Sequence, residues 1–148
     1  MKVAVGFDHG GFNLKNNICE LIKASGHEVV DMGAYSMDPN DDYPDFAIKV
    51  AMEVSHSNVT KGIVVCGSGV GASIVANKIK GVRASVCHDL YSAQQGVEHD
   101  DMNVLCLGGR IIDESTASGL VKVFLNSDFS GEERHLRRLN KINKIDSG

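Results

Sequence analysis

Short, valine-rich apolar runs alternate with segments of helical period along the whole chain, and this alternation restricts the fold more than any other feature. The runs are Val3–Phe7, Glu28–Met32, Gly62–Cys66, Val82–Cys87 and Asn103–Leu107. Between them, apolar residues recur every three or four positions: Leu14, Ile18, Leu21 and Ile22, then Phe46, Ala47, Val50, Ala51 and Val54. Ala117, Leu120, Val121, Phe124 and Leu125 repeat the pattern. Near-continuous apolar strands separated by helices require a parallel sheet covered on both faces. The expected fold is a doubly wound α/β domain, a Rossmann-like three-layer αβα sandwich on a five-stranded parallel sheet. At 148 residues the chain is read as a single domain over 1–148 with no internal linker.

In such sheets ligands bind beyond the carboxyl ends of the strands. The residues at those ends are Asp8-His9-Gly10-Gly11, Gly33-Ala34, Cys66-Gly67-Ser68-Gly69, His88-Asp89 and Gly108-Gly109-Arg110. Reactive and anion-binding groups therefore gather on one edge.

The loop after the third strand formally fits G-x-G-x-x-G/A, running from Gly67 to Ala72, with Asp89 near the distance of a ribose-binding acid. A dinucleotide fingerprint, however, opens the first strand of its domain. A Walker loop needs Gly-Lys-Ser/Thr, which is missing here, and a cysteine phosphatase needs arginine where Ala72 stands. A glycine turn opening a helix still presents several backbone N–H groups and the positive end of the helix dipole. That field favours a thiolate at Cys66. Thiolate and amides together suit proton abstraction beside a carbonyl, the amides receiving the enediolate charge. A buried strand-end cysteine before a turn that merely packs helix on sheet would present the same local residues. The neighbouring strand ends shift the balance toward a site.

Composition narrows the classes further. A net charge of −4 and few aromatics argue against a nucleic-acid binder, and no apolar run is long enough to span a membrane or serve as a signal peptide. From Gly131 onward five Lys/Arg face three Asp/Glu, so the tail carries +2 against −6 for the remainder. A local basic cluster on an acidic body suits a small anion. Arg134 and Arg138 lie one turn apart on this last helix, whose narrow apolar stripe fits another subunit or a solvated terminus equally well. The four cysteines show neither CxxC spacing nor paired clustering, which argues against a disulfide framework or zinc site and points to a reducing, cytoplasmic setting. Cys19, Cys87 and Cys106 read as inert core residues.

Five separated motifs carry a resemblance: GFDHGG (Gly6–Gly11), DYPDFA (Asp42–Ala47), CGSGVGASIVANKIKGVRA (Cys66–Ala84), HDDMNVLCLGGR (His99–Arg110) and GEERHLRR (Gly131–Arg138). In this order and spacing they resemble type B ribose-5-phosphate isomerases and the related galactose-6-phosphate isomerase subunits. The resemblance implies a metal- and cofactor-free aldose–ketose isomerase of the pentose phosphate pathway acting on a phosphorylated sugar. It implies Cys66 as the base, with the loop from Gly67 through Gly69 and Val70 to Gly71 stabilising the enediolate. By the same resemblance Ser68 would shuttle protons between oxygens, His99 with Asp8 would open the sugar ring, and Tyr43 would contact the sugar. His9, Arg110, Arg134 and Arg138 would hold the phosphate, the last two from a partner. A homodimer or tetramer with shared sites follows, the helix at 131–146 being exchanged between subunits. Asp100 stands where the family usually has Asn, which leaves galactose or allose 6-phosphate as alternative substrates. A non-catalytic nucleotide-binding module is the rival from another class.

Overall fold

The computed structural model describes residues 1–147. Five strands, β1 (Lys2–Phe7), β2 (Glu28–Asp31), β3 (Lys61–Cys66), β4 (Ala84–Val86) and β5 (Val104–Gly108), form one sheet. Every pairing is parallel, in the order β2-β1-β3-β5-β4. Six helices accompany them: α1 (Lys15–Ala24), α2 (Tyr43–Ser55), α3 (Val70–Ala76), α4 (Leu90–Asp100), α5 (Glu114–Asn126) and α6 (Glu133–Ser147). The expected three-layer α/β architecture is observed, with the fourth strand shorter than its apolar run.

Alternation along the strands builds two cores, because successive side chains leave opposite faces of a sheet. Val3, Val5, Phe7, Ile63, Val65, Leu105 and Leu107 face α1, α4 and α5. Ala4, Val64, Cys66, Val104 and Cys106 face α2 and α3. Cys87 and Cys106 are buried as expected, whereas Cys19 on α1 is only partly buried.

Strand order reverses between β1 and β3. Phe7 pairs with Val65, so Asp8 follows directly beside Cys66. The chain then passes β5 to place β4 at the edge, and Cys66 pairs with Gly108 on β5. Three strand ends, carrying Asp8, Cys66 and Gly108, thus meet at the crevice where such sheets bind ligands.

Helix α6 leaves the sheet altogether. It touches α4, burying His135 and Leu139 while Leu136, Ile142 and Ile145 stay exposed. The apolar stripe read from sequence is therefore divided between an inward and an outward part.

Candidate active site

The glycine loop is tied to the cysteine it follows. Gly69 caps α3 with φ of +81°, in the left-handed region, and a Cβ there would lie 3.0 Å from the carbonyl carbon of Leu107. In this conformation the Gly69 N–H donates to Cys66 Sγ at 3.1 Å, and the Val70 N–H donates to Ser68 Oγ at 3.2 Å. The thiol, only 4% exposed, sits under the N-terminal turn of α3.

Neighbouring strands lace this loop in place. The Gly109 N–H donates to the Cys66 carbonyl at 2.7 Å, and the Arg110 N–H donates to the Gly67 carbonyl at 3.1 Å. Arg110 consequently lies over Gly67: a Cβ on that glycine would be 3.4 Å from its Nη1. At β1 the Asp8 carboxylate accepts from the amides of Gly10 and Gly11 at 2.8 and 3.1 Å. Burial nevertheless outweighs those bonds and pushes the Asp8 carboxyl above its usual range.

Tyr43 and Pro44 open α2, proline fitting the first helical turn where its missing N–H leaves no bond unmade. The Tyr43 ring leans over Gly71, where a Cβ would meet Cζ at 2.5 Å. Asp8, His9, Tyr43, Cys66, Gly67, Ser68, Gly71, Arg110 and Ile111 together line an open cleft of about 420 Å³. Ten sequence-level candidates thus lie in or beside the cleft, with Gly69 and Val70 contributing backbone amides from its loop.

The other four do not join them within one chain. Helix α4 runs back against the strand direction, so His99 and Asp100 sit just before β5 begins, at the opposite edge of the sheet. Five residues of extended strand separate the two edges by roughly 15 Å. His99 is half-buried and stacked on His135 of α6, and Arg134 and Arg138 project from α6 into solvent.

One partner escaped the sequence reading. Asp41 receives both the backbone N–H of His9 at 2.9 Å and its Nδ1 at 2.7 Å. The acidic run Asp41-Asp42 before Tyr43 was the available signal, but only the fold brings it to His9. Asp8, His9 and Asp41 place three ligating atoms within 4.8 Å of one another. Those groups are engaged with each other and with the Gly10 and Gly11 amides. Asp89, the acid of the dinucleotide reading, instead caps α4 by accepting from the Ser92 N–H at 2.7 Å.

The Ribose/Galactose Isomerase family profile matches residues 3–142. The chain belongs to this family. Over 145 residues it is 42% identical to ribose-5-phosphate isomerase B of Escherichia coli, covering 98% of this chain and 96% of that one. The Clostridium thermocellum ribose-5-phosphate isomerase B structure superposes with a TM-score of 0.94 at 44% identity, covering 99% and 98% of the two chains. That of Mycoplasma genitalium, solved with bound ribulose-5-phosphate, gives 0.93 at 41% identity over 99% and 96%. Among the described residues, no helix is long and apolar enough to cross a membrane.

Proposed function

We propose that this chain is an aldose–ketose isomerase interconverting ribose 5-phosphate and ribulose 5-phosphate. The observation that carries the reading is the amide-bonded thiol of Cys66 in a cleft whose rim carries His9 and Arg110. Full-length similarity to ribose-5-phosphate isomerases of type B supports the same reading.

The Cys66 thiolate removes the C2 proton of the open-chain aldose, and the electron pair moves onto O1 as the enediolate forms. Amides of the Gly67–Gly71 loop stabilise that charge. Ser68 relays the hydroxyl proton between O2 and O1, and Cys66 returns its proton to C1. Tyr43 holds the sugar, while His9 and Arg110 receive the phosphate.

Ring opening requires a second copy. His99, Asp100, Arg134 and Arg138 lie beyond the reach of their own cleft, so a partner subunit supplies them, His99 acting with Asp8. Val70, Ile74 and Ile111 leave apolar surface exposed at or beside the cleft, as a homodimer with shared sites requires. Each copy works as one isomerase domain over its whole length, and the free state of all four cysteines fits a reducing cytoplasm.

A six-carbon substrate is the second reading, favoured by the galactose branch of the family and by Asp100 in place of Asn. Ketose formation from ribose, galactose and allose 6- or 5-phosphates separates the two. Cys66→Ala should lower turnover by roughly 10²–10⁴-fold while sugar-phosphate binding persists. Near-normal turnover in that variant removes Cys66 from its role.

A further inference from the structure

Asp41 reaches His9 from the loop between β2 and α2, 32 positions along the chain. A single oxygen, Oδ1, takes both the backbone N–H and the ring Nδ1 of His9. This two-point grip fixes where the imidazole sits and which nitrogen carries its inner proton. Nε2 is left as the ring's outward-facing donor.

The Asp41 side chain is only 10% exposed, and its second oxygen Oδ2 is buried with no hydrogen-bond partner. Among the described residues His9 is its ion-pair partner. A carboxylate so enclosed is poorly served by water, and a charged imidazole is the group that compensates it.

We propose that Asp41 is a positioning residue for the substrate's phosphate, holding His9 with Nδ1–H on the carboxylate and Nε2–H presented to the phosphoryl oxygens. The proposal rests on the reading of His9 as a phosphate contact and extends it to a residue that touches no substrate itself. The charges facing His9 support it. The Asp41 hydrogen bond is the largest influence and, with Asp8, raises the histidine above its ordinary value, while desolvation and the Arg110 guanidinium act the other way. A raised value extends the imidazolium toward the pH where the phosphate is dianionic. Phosphate affinity is therefore greatest above the second pKa of the phosphate, about 6, and declines as pH rises through the value of His9.

The test compares Asp41→Asn, Asp41→Glu and His9→Ala in the full-length protein. For each, kcat, KM for ribose 5-phosphate and inhibition by inorganic phosphate are measured across pH. Asp41→Asn should raise KM and the phosphate inhibition constant roughly tenfold at about pH 7.5, with kcat within about twofold. It should also move the decline in phosphate affinity to lower pH, and Asp41→Glu should recover part of both effects. An unchanged phosphate constant and pH profile in Asp41→Asn, alongside weakened binding in His9→Ala, overturns the role of Asp41 alone. Unaltered phosphate binding in His9→Ala overturns the reading of His9, and the proposal with it. Should Asp41→Asn fail to fold, an NMR titration of His9 in the unsubstituted protein decides. An imidazolium persisting above the ordinary histidine value supports the pair, and titration at or below that value overturns it.

Discussion

The imidazole of His135 lies on that of His99, with ring centroids 3.9 Å apart and planes 24° from parallel. His135 is only 2% exposed, its Nδ1 is 2.5 Å from Ser130 Oγ, and its buried Nε2 has no hydrogen-bond partner. The Ser130 N–H in turn donates to the Glu98 carbonyl at 2.9 Å. The first turns of α6 are thereby fastened to the last turn of α4. The arginines proposed for a neighbour's phosphate and the histidine proposed for its sugar ring are set by one contact.

That contact should be sensitive to acid. Desolvation first, and then the charges of His99 and Arg134, hold His135 below its ordinary value of 6.5. Between that value and the lower folded one, the unfolded chain binds more protons, so stability falls as pH falls. The contribution is complete above the ordinary value and lost through the folded one. Asp8, raised in the folded state, works in the opposite direction, so the readout is a difference between two proteins. Protection factors of α6 amides, taken relative to the base-catalysed intrinsic exchange rate at each pH, should fall from about pH 7.5 to about pH 5.5, and His135→Phe should flatten the dependence. Identical profiles in both proteins would contradict the assignment.

Shared sites can be tested by mixing inactive chains. Cys66→Ala and His99→Asn copies should each be nearly inactive alone. Co-refolded at equal amounts, random dimers would carry one intact site in half of the molecules, recovering about a quarter of the unsubstituted activity. No recovery from well-folded mixed dimers would place His99 and Cys66 in the same chain's site.

The contact between Tyr43 and α3 predicts a coupled pair. A methyl group at Gly71 would stand 2.5 Å from Tyr43 Cζ and 2.9 Å from its hydroxyl, forcing the ring away. Gly71→Ala should raise KM by roughly tenfold, consistent with misplacing a substrate contact. Since Tyr43→Ala removes the obstacle, Gly71→Ala should do little further harm on that background. Fully additive losses in the double variant would show that the loop amides, not the tyrosine, suffer from the methyl.

Lys61 provides a stability test far from the chemistry. Although it is the first residue of β3, it is only 7% exposed, and its Nζ donates to the carbonyls of Phe124 at 2.6 Å and Ser127 at 2.8 Å. It thus satisfies carbonyls at the end of α5 and places a cation where the helix dipole favours one. Lys61→Met should lower unfolding free energy by about 2 kcal/mol in urea titration, with kcat and KM unchanged. A loss under about 0.5 kcal/mol would mean that water or a neighbour takes over those carbonyls.

The local residues of the chain determined five strands, the helices α1, α2, α3 and α5, and the chemistry of three strand ends, whereas α4 carried no apolar period that marked it. Period-two and period-3.6 patterns are properties of consecutive residues, and the Gly67–Gly71 turn needs only its own glycines to open α3. Strand order was a different matter. Placing β5 between β3 and β4 sets Gly108–Arg110 against Cys66 and Gly67, and that choice depends on how both faces of the sheet are covered. The same holds for Asp41, whose partner is fixed by a loop crossing rather than by spacing, and for His99, which lies near Arg110 in sequence yet on the far edge of the sheet. Sequence determined which groups this protein has at its disposal. Tertiary packing alone decided which of them share a cleft in one chain and which lie away from it, because side-chain chemistry acts over a few ångströms and only the folded sheet sets those distances.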